Sequence, residues 1–160
     1  MARNGRIHIL ALAAIVGGIL RLIEPLMEHA LNAARLHTFY VLVDVFLILG
    51  FFGIGDAMAR LGRIGAALGV IGLLMIRIGP VAGITLYQAG AALTLFGVAF
   101  IGIDILQRNT DSRIAAVLFI AALVIGLAAL IPQMAMPAAF AAGMAFGLGF
   151  LVQGVVLARR

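Results

Sequence analysis

Long apolar runs separated by short polar breaks extend over the whole chain. An α-helix needs roughly 20 apolar residues to cross a bilayer, and six of the runs are close to that length. Prolines that follow the first, third and fifth runs predict helix ends, because proline interrupts a helix interior. The pattern therefore predicts an all-α integral membrane protein, with residues 1–160 forming one bundle. The six predicted helices span residues 7–23, 38–57, 64–78, 81–106, 114–131 and 138–158.

The one substantial break lies between the first two runs, at residues 25–36. Leu26, Leu31 and Ala34 recur there at helical spacing, and Glu28 and Arg35 fall on the opposite side. A segment with one apolar and one charged face is typical of a helix lying in the membrane interface. We therefore expect a short amphipathic helix in this loop.

Composition strengthens the membrane interpretation. Hydrophobic residues make up 65% of the chain and charged residues 11%, whereas soluble domains are roughly half apolar and a quarter charged. The net charge of +5 comes from arginines at the helix ends, so topology explains it better than a nucleic-acid partner does. The absence of cysteine excludes disulfides and thiol chemistry, and the absence of lysine excludes a Schiff base.

The arginines also predict an orientation. Cytoplasmic ends of membrane helices are enriched in arginine, and the two sides of this chain carry eight and three. We therefore expect both termini in the cytoplasm and six crossings of the bacterial cytoplasmic (inner) membrane. The first run continues to Ile23 without a small-residue cleavage site, which favours a retained helix over a signal peptide. The arginine-rich side contains Arg3, Arg6, Arg60, Arg63, Arg108, Arg113, Arg159 and Arg160, and the other side contains Arg21, Arg35 and Arg77.

The segments around these arginines resemble one another, which indicates an internal repeat. The segment 2–7 matches 59–64 at five of six positions, and 53–60 resembles 101–108, with a weaker copy at 152–159. These matches predict three tandem helical hairpins related by an axis along the membrane normal. The alternative is that topology alone places arginines at the same helix ends.

Small residues recur four positions apart on several predicted helices. Such pairs let helix backbones approach closely in lipid, within one chain or between chains. The pairs are Ala13/Gly17, Ala14/Gly18, Gly65/Gly69, Ala122/Gly126 and Gly143/Gly147.

Asp44 is the carboxylate placed furthest inside an apolar run. A charge at that depth is costly, so we expect it to face the bundle and pair with Arg21 or Arg77. One interpretation is a polar pocket that binds an anionic head group, with Asp44 as counter-charge or proton site. The other is a structural ion pair that holds the helices in register. The residues predicted to share this layer are Arg21, His37, Tyr40, Asp44, Arg77, Tyr87 and Gln88.

Asp56 and Asp104 are candidates for a different chemistry. Gly53-Ile54-Gly55-Asp56 resembles the Gly-x-Gly-Asp motif of intramembrane aspartyl proteases, including the six-helix prepilin peptidases, and the resemblance implies a pair of catalytic aspartates. The order departs from that family, because Asp104 follows the motif instead of preceding it. Arg60 and Arg108 lie four residues after the two aspartates, which favours helix-end ion pairs.

No metal, haem or other cofactor is expected. The histidines do not fall at matching depths on facing helices, and adjacent Glu28 and His29 would point in different directions on a helix. A surface metal site formed by Glu24, Glu28, His29 and His37 is the one alternative that the residue types leave open.

The stretches Gly62-Arg63-Ile64-Gly65 and Leu95-Phe96-Gly97 through Arg113-Ile114-Ala115-Ala116 resemble those of small uncharacterised bacterial polytopic membrane proteins with six helices. That resemblance implies a fold and no activity. We expect a non-catalytic accessory, assembly or stabilising subunit that packs through Gly/Ala faces, as a homo-oligomer or in a larger membrane complex. The alternative is a binder or transporter of a small anionic or amphiphilic molecule, such as a lipid, around Asp44. A protease using Asp56 and Asp104 is a remote third hypothesis.

Overall fold

The computed structural model describes residues 2–81, 86–108 and 112–159, and these residues are helical apart from short connections. Five of the helices are long and apolar enough to cross a membrane. The all-helical prediction is therefore confirmed, and the helices indicate a multi-pass membrane protein. The elements are α1 (Ala2–Ala30), α2 (Ala33–Ala57), α3 (Arg60–Val81), α4 (Tyr87–Gln107), α5 (Arg113–Ala128), a 3-10 turn (Pro132–Met134) and α6 (Ala135–Ala158).

The first predicted helix end is wrong. The helix α1 continues through Pro25 to Ala30 instead of ending near Ile23. A proline in a helix interior removes one backbone hydrogen bond, and membrane helices tolerate this loss where neighbouring groups compensate for it. Arg21, Glu24 and Glu28 consequently lie on one face of a continuous helix, at the three- and four-residue spacing of such a face.

The predicted interfacial helix in residues 25–36 is also absent as a separate element. Its residues form the last turns of α1 and the first turn of α2, joined at Leu31 and Asn32. The Asn32 side chain accepts a hydrogen bond of 3.0 Å from the Arg35 backbone N–H, which makes Asn32 the N-cap of α2. The helix α2 therefore begins at Ala33, five residues before its predicted start.

Other helix ends also differ from the predicted bounds. The helix α3 extends to Val81, and α4 begins only at Tyr87. The helix α5 has 16 residues and is shorter than the five candidate spans. Positions 82–85 of the predicted fourth helix and residues 109–111 of the repeat lie outside the described residues.

The six helices form a closed ring. Each helix packs against the helices before and after it in the chain, and α6 also packs against α1. The closest helix pairs meet through glycine backbones, as the small-residue spacing predicts. A Cβ atom added to Gly65 of α3 would lie 2.4 Å from the Gly97 carbonyl oxygen of α4. One added to Gly18 of α1 would lie 2.7 Å from the Gly147 carbonyl oxygen of α6.

Aromatic rings fill the inside of this ring of helices. Phe51 of α2, Phe119 of α5 and Phe150 of α6 are fully buried. The Phe150 ring lies edge-on to the other two, with centroid distances of 4.7 Å to Phe51 and 5.9 Å to Phe119. Gly69 and Gly149 leave space for the rings of Phe51 and Phe119. The core thus ties α2, α5 and α6 together across the ring.

Candidate functional site

Asp44 of α2 forms an ion pair with Arg77 of α3, through Oδ2 and Nε. The Asp44 side chain is 13% exposed and the Arg77 side chain 30%. Of the two arginines expected near Asp44, Arg77 is the one that contacts it. Because the Asp44 carboxylate is mostly withdrawn from solvent, this pair is more strongly coupled than an ion pair on an open surface.

Two further contacts extend this pair to α1. The Arg77 guanidinium lies over the Tyr40 ring, with 5.2 Å between Cζ and the ring centroid, which is a cation–π geometry. The Tyr40 hydroxyl donates a hydrogen bond of 2.6 Å to Glu28 Oε1. A chain of contacts therefore runs from α3 through α2 to the end of α1.

Arg21 of α1 takes a different partner from the one the sequence suggested. Its Nη1 pairs with Glu24 Oε2, one turn further along the same helix. Arg21 remains close enough to Asp44 and Tyr40 to interact with both electrostatically. On its other side, a Cβ atom added to Gly143 of α6 would lie 3.0 Å from Arg21 Nη2, so Gly143 leaves room for the guanidinium.

These six side chains make up what we call the Asp44 cluster: Arg21, Glu24, Glu28, Tyr40, Asp44 and Arg77. It contains two arginines and three carboxylates, so its formal charge with neutral tyrosine is 2 − 3 = −1. Each of its charged groups contacts another member of the cluster. The arrangement pairs both arginines with carboxylates and connects three helices at the end where α1 ends and α2 begins.

Three other residues predicted for this layer are exposed. His37 and Gln88 are exposed, and Tyr87 is 63% exposed. Among the described residues none of the three forms a hydrogen bond or ion pair with the Asp44 cluster. The sequence-based reasoning missed Glu24 and Glu28 as members, although their spacing from Arg21 would have indicated a shared helix face had α1 been extended through Pro25.

A second polar arrangement surrounds the turn between α2 and α3, at Met58 and Ala59. Asp104 of α4 is buried, with 3% exposure, and its Oδ2 accepts a hydrogen bond of 3.0 Å from the Ala59 backbone N–H. Arg108 Nη1 lies 3.9 Å from the same carboxylate oxygen and donates a 3.1 Å hydrogen bond to the Ala57 carbonyl. The end of α4 therefore holds the turn that connects α2 to α3.

The two predicted helix-end pairs differ in this structure. Asp104 and Arg108 do form an ion pair, four residues apart at the end of α4. Both side chains also form hydrogen bonds with the backbone at the turn between α2 and α3. Asp56 and Arg60 lie on either side of that turn, in α2 and α3, so they do not share a helix. Asp56 is exposed whereas Asp104 is buried against a backbone amide, which is unlike two carboxylates that share one proton.

Replacing Asp104 by alanine is expected to reduce the free energy of unfolding by about 1–3 kcal/mol, because the hydrogen bond from the Ala59 N–H to the buried carboxylate is lost. Thermal unfolding in detergent would measure the loss. The matched control is Asp56→Ala, which removes an exposed carboxylate beside the same turn and should cost less than half as much. Equal losses would contradict the assigned hydrogen bond.

Among the described residues no group of three or more histidines and carboxylates is placed to hold a metal ion. Glu24 and Glu28 instead contact Arg21 and Tyr40, and the His29 ring lies 2.9 Å from the Pro25 carbonyl oxygen. The residues considered for a surface metal site thus have other partners, apart from exposed His37.

The fold and the two polar arrangements define a helical, multi-pass membrane bundle with charged side chains paired inside it. Comparison with protein-family models, curated proteins and solved structures found no match.

Proposed function

We propose that this chain is a non-catalytic subunit of the bacterial cytoplasmic membrane, with an accessory, assembly or stabilising role exerted through helix packing. The observation that carries the proposal is the Asp44 cluster, in which the charged groups are engaged with one another. A site built for chemistry or transport keeps reactive groups directed at a substrate. Here the polar groups instead connect the helices α1, α2 and α3.

The excess of arginine on one side supports an orientation with both termini in the cytoplasm. In this orientation the turn at Met58 and Ala59 faces the cytoplasm and the Asp44 cluster lies at the opposite end. The short helix α5 would make the sixth crossing, since the apolar run continues beyond the end of the helix through Ala129, Leu130 and Ile131. The repeated arginine turns support three tandem hairpins.

The experiment that tests the subunit role is extraction of the tagged protein from native membranes into polymer nanodiscs, followed by native mass spectrometry. We expect a defined assembly, either of several copies or with other chains. The control is the same protein extracted after mixing of differently tagged cells, which reports assembly formed after lysis. A single copy in every preparation would overturn the proposal.

A second function is favoured by one observation. The side chains of Arg21 and Arg77 are each about 30% exposed, at 31% and 30%, so a small anionic or amphiphilic molecule could reach them. Such a ligand would have to displace Glu24 or Asp44 from its arginine, in a cluster whose formal charge is already negative. Binding that is lost in Arg77→Gln while thermal stability stays unchanged would favour this function over the subunit role.

A further inference from the structure

A groove runs along the outside of the bundle between α2 and α3, away from the Asp44 cluster. Its volume is about 550 Å³, within the roughly 300–1,000 Å³ of small-molecule sites. Phe52, Ala67 and Ile71 line it and are exposed, so the groove opens toward the surrounding lipid. Gly55 and Ala66 bring the two helices close at one end.

The groove has charges at one end and apolar walls along the rest. Asp56, in the last turn of α2, and Arg63, in the first turn of α3, both line the end beside the turn. Val70 and Ile71 line it further on, about 10–12 Å along α3 from Arg63 at 1.5 Å per residue. The other lining residues are Phe51, Phe52, Gly55, Ala66 and Ala67.

We propose that the groove between α2 and α3 binds one phospholipid with a phosphoethanolamine head group. The phosphate would contact Arg63, the ammonium would contact Asp56, and one acyl chain would lie along the apolar walls. This inference concerns a different face from the Asp44 cluster and does not rest on the proposed subunit role.

The distribution of charge matches a lipid. A phospholipid is charged at its head group and apolar along its acyl chains, and the residues that line this groove follow the same order. Both signs of charge line this end of the groove, and a zwitterionic head group carries both. Asp56 has another interaction as well, and its two carboxylate oxygens can accept further hydrogen bonds. Arg63 donates from Nε to the Met58 carbonyl at 3.1 Å, which uses one of the five N–H donors of a guanidinium.

The choice of ethanolamine follows from hydrogen bonding. A primary ammonium donates N–H bonds to a carboxylate, whereas a fully methylated ammonium has no N–H group. We therefore expect the purified protein, exchanged into detergent with equal amounts of each lipid, to retain phosphatidylethanolamine about tenfold over phosphatidylcholine and phosphatidylglycerol. Native mass spectrometry would count the bound lipids. Equal retention of the three lipids would overturn the proposal.

Charge variants test each contact separately. Arg63→Gln should reduce retention of phosphatidylethanolamine about tenfold, and Asp56→Asn should abolish its preference over phosphatidylcholine. The matched control is Arg113→Gln, at the start of α5. Arg113 lines a smaller cleft of about 290 Å³ with no carboxylate among its lining residues. An unchanged lipid profile in Asp56→Asn, or an equal loss in Arg113→Gln, would contradict the assignment.

A steric variant tests the groove without changing charge. Ala67 is exposed on the groove wall, so Ala67→Phe would fill the space for the acyl chain while leaving the core intact. We expect this variant to lose the bound lipid and to keep the thermal stability of the wild-type protein. Undiminished lipid binding would overturn the proposal, as would a variant that loses a protein chain from its assembly and keeps the lipid.

Discussion

Gly65→Ala lowers the free energy of unfolding by about 3 kcal/mol, the upper end of the usual cost of overpacking. The added Cβ atom would lie 2.4 Å from the Gly97 carbonyl oxygen, which belongs to a helix backbone. Neither α3 nor α4 can rotate that oxygen away, so the two helices must separate. Thermal unfolding of the purified protein in detergent, followed by circular dichroism, would measure the effect.

The control for this prediction is Gly126→Ala, in which the added Cβ atom meets a side chain instead of a backbone at the same distance. A Cβ atom added to Gly126 would also lie 2.4 Å from another atom, but that atom is the Cδ1 at the end of the Leu95 side chain. Leu95 can change its rotamer, so Gly126→Ala should cost about 1 kcal/mol or less. If both variants lose the same stability, backbone contact between α3 and α4 is not what holds the pair.

Asp44→Asn is expected to reduce the free energy of unfolding by roughly 1–3 kcal/mol. The variant leaves the Arg77 guanidinium without its carboxylate inside the bundle, and the partial exposure of Arg77 keeps the cost below that of a fully buried pair. A double-mutant cycle with Arg77→Gln should recover most of the loss in the double variant. Thermal unfolding of the four proteins in one detergent would provide the cycle.

Glu24→Gln is the matched control for Asp44→Asn. The Glu24 side chain has the same exposure of 13%, but its partner Arg21 lies on the same helix. Its removal should cost well under half as much, because no contact between helices is lost. No coupling between Asp44 and Arg77 in the cycle would contradict a structural role for the pair.

The helical class and the approximate helix positions could be predicted from the sequence. A long apolar run in lipid must satisfy its backbone hydrogen bonds internally, and an α-helix does so. The close approach at Gly65 could also be predicted from residue spacing. The helix ends could not. Whether Pro25 ends a helix depends on the groups that surround it. The start of α2 depends on the hydrogen bond between the Asn32 side chain and the Arg35 N–H, in a segment predicted to be part of a loop.

The polar sites were predictable only in part. The depth of Asp44 indicates that it needs a partner, but the choice between Arg21 and Arg77 depends on how α1 and α3 pack. The hydrogen bond from Ala59 to Asp104 joins residues 45 positions apart, so no local pattern reports it. The functional role of each site residue stays a prediction, which the variants described above would test.

The contact between α1 and α6 has a consequence for how the protein is assembled in the cell. One face of α1 meets its partner only after α6 has been synthesised, with four helices made in between. Closing so long a segment of chain costs entropy, and contacts distant in sequence form slowly. Until then Gly18 and its neighbours remain open to lipid or to another chain. The junction of α1 and α6 is therefore the place where a nascent copy is most exposed to exchange of helices with a second copy.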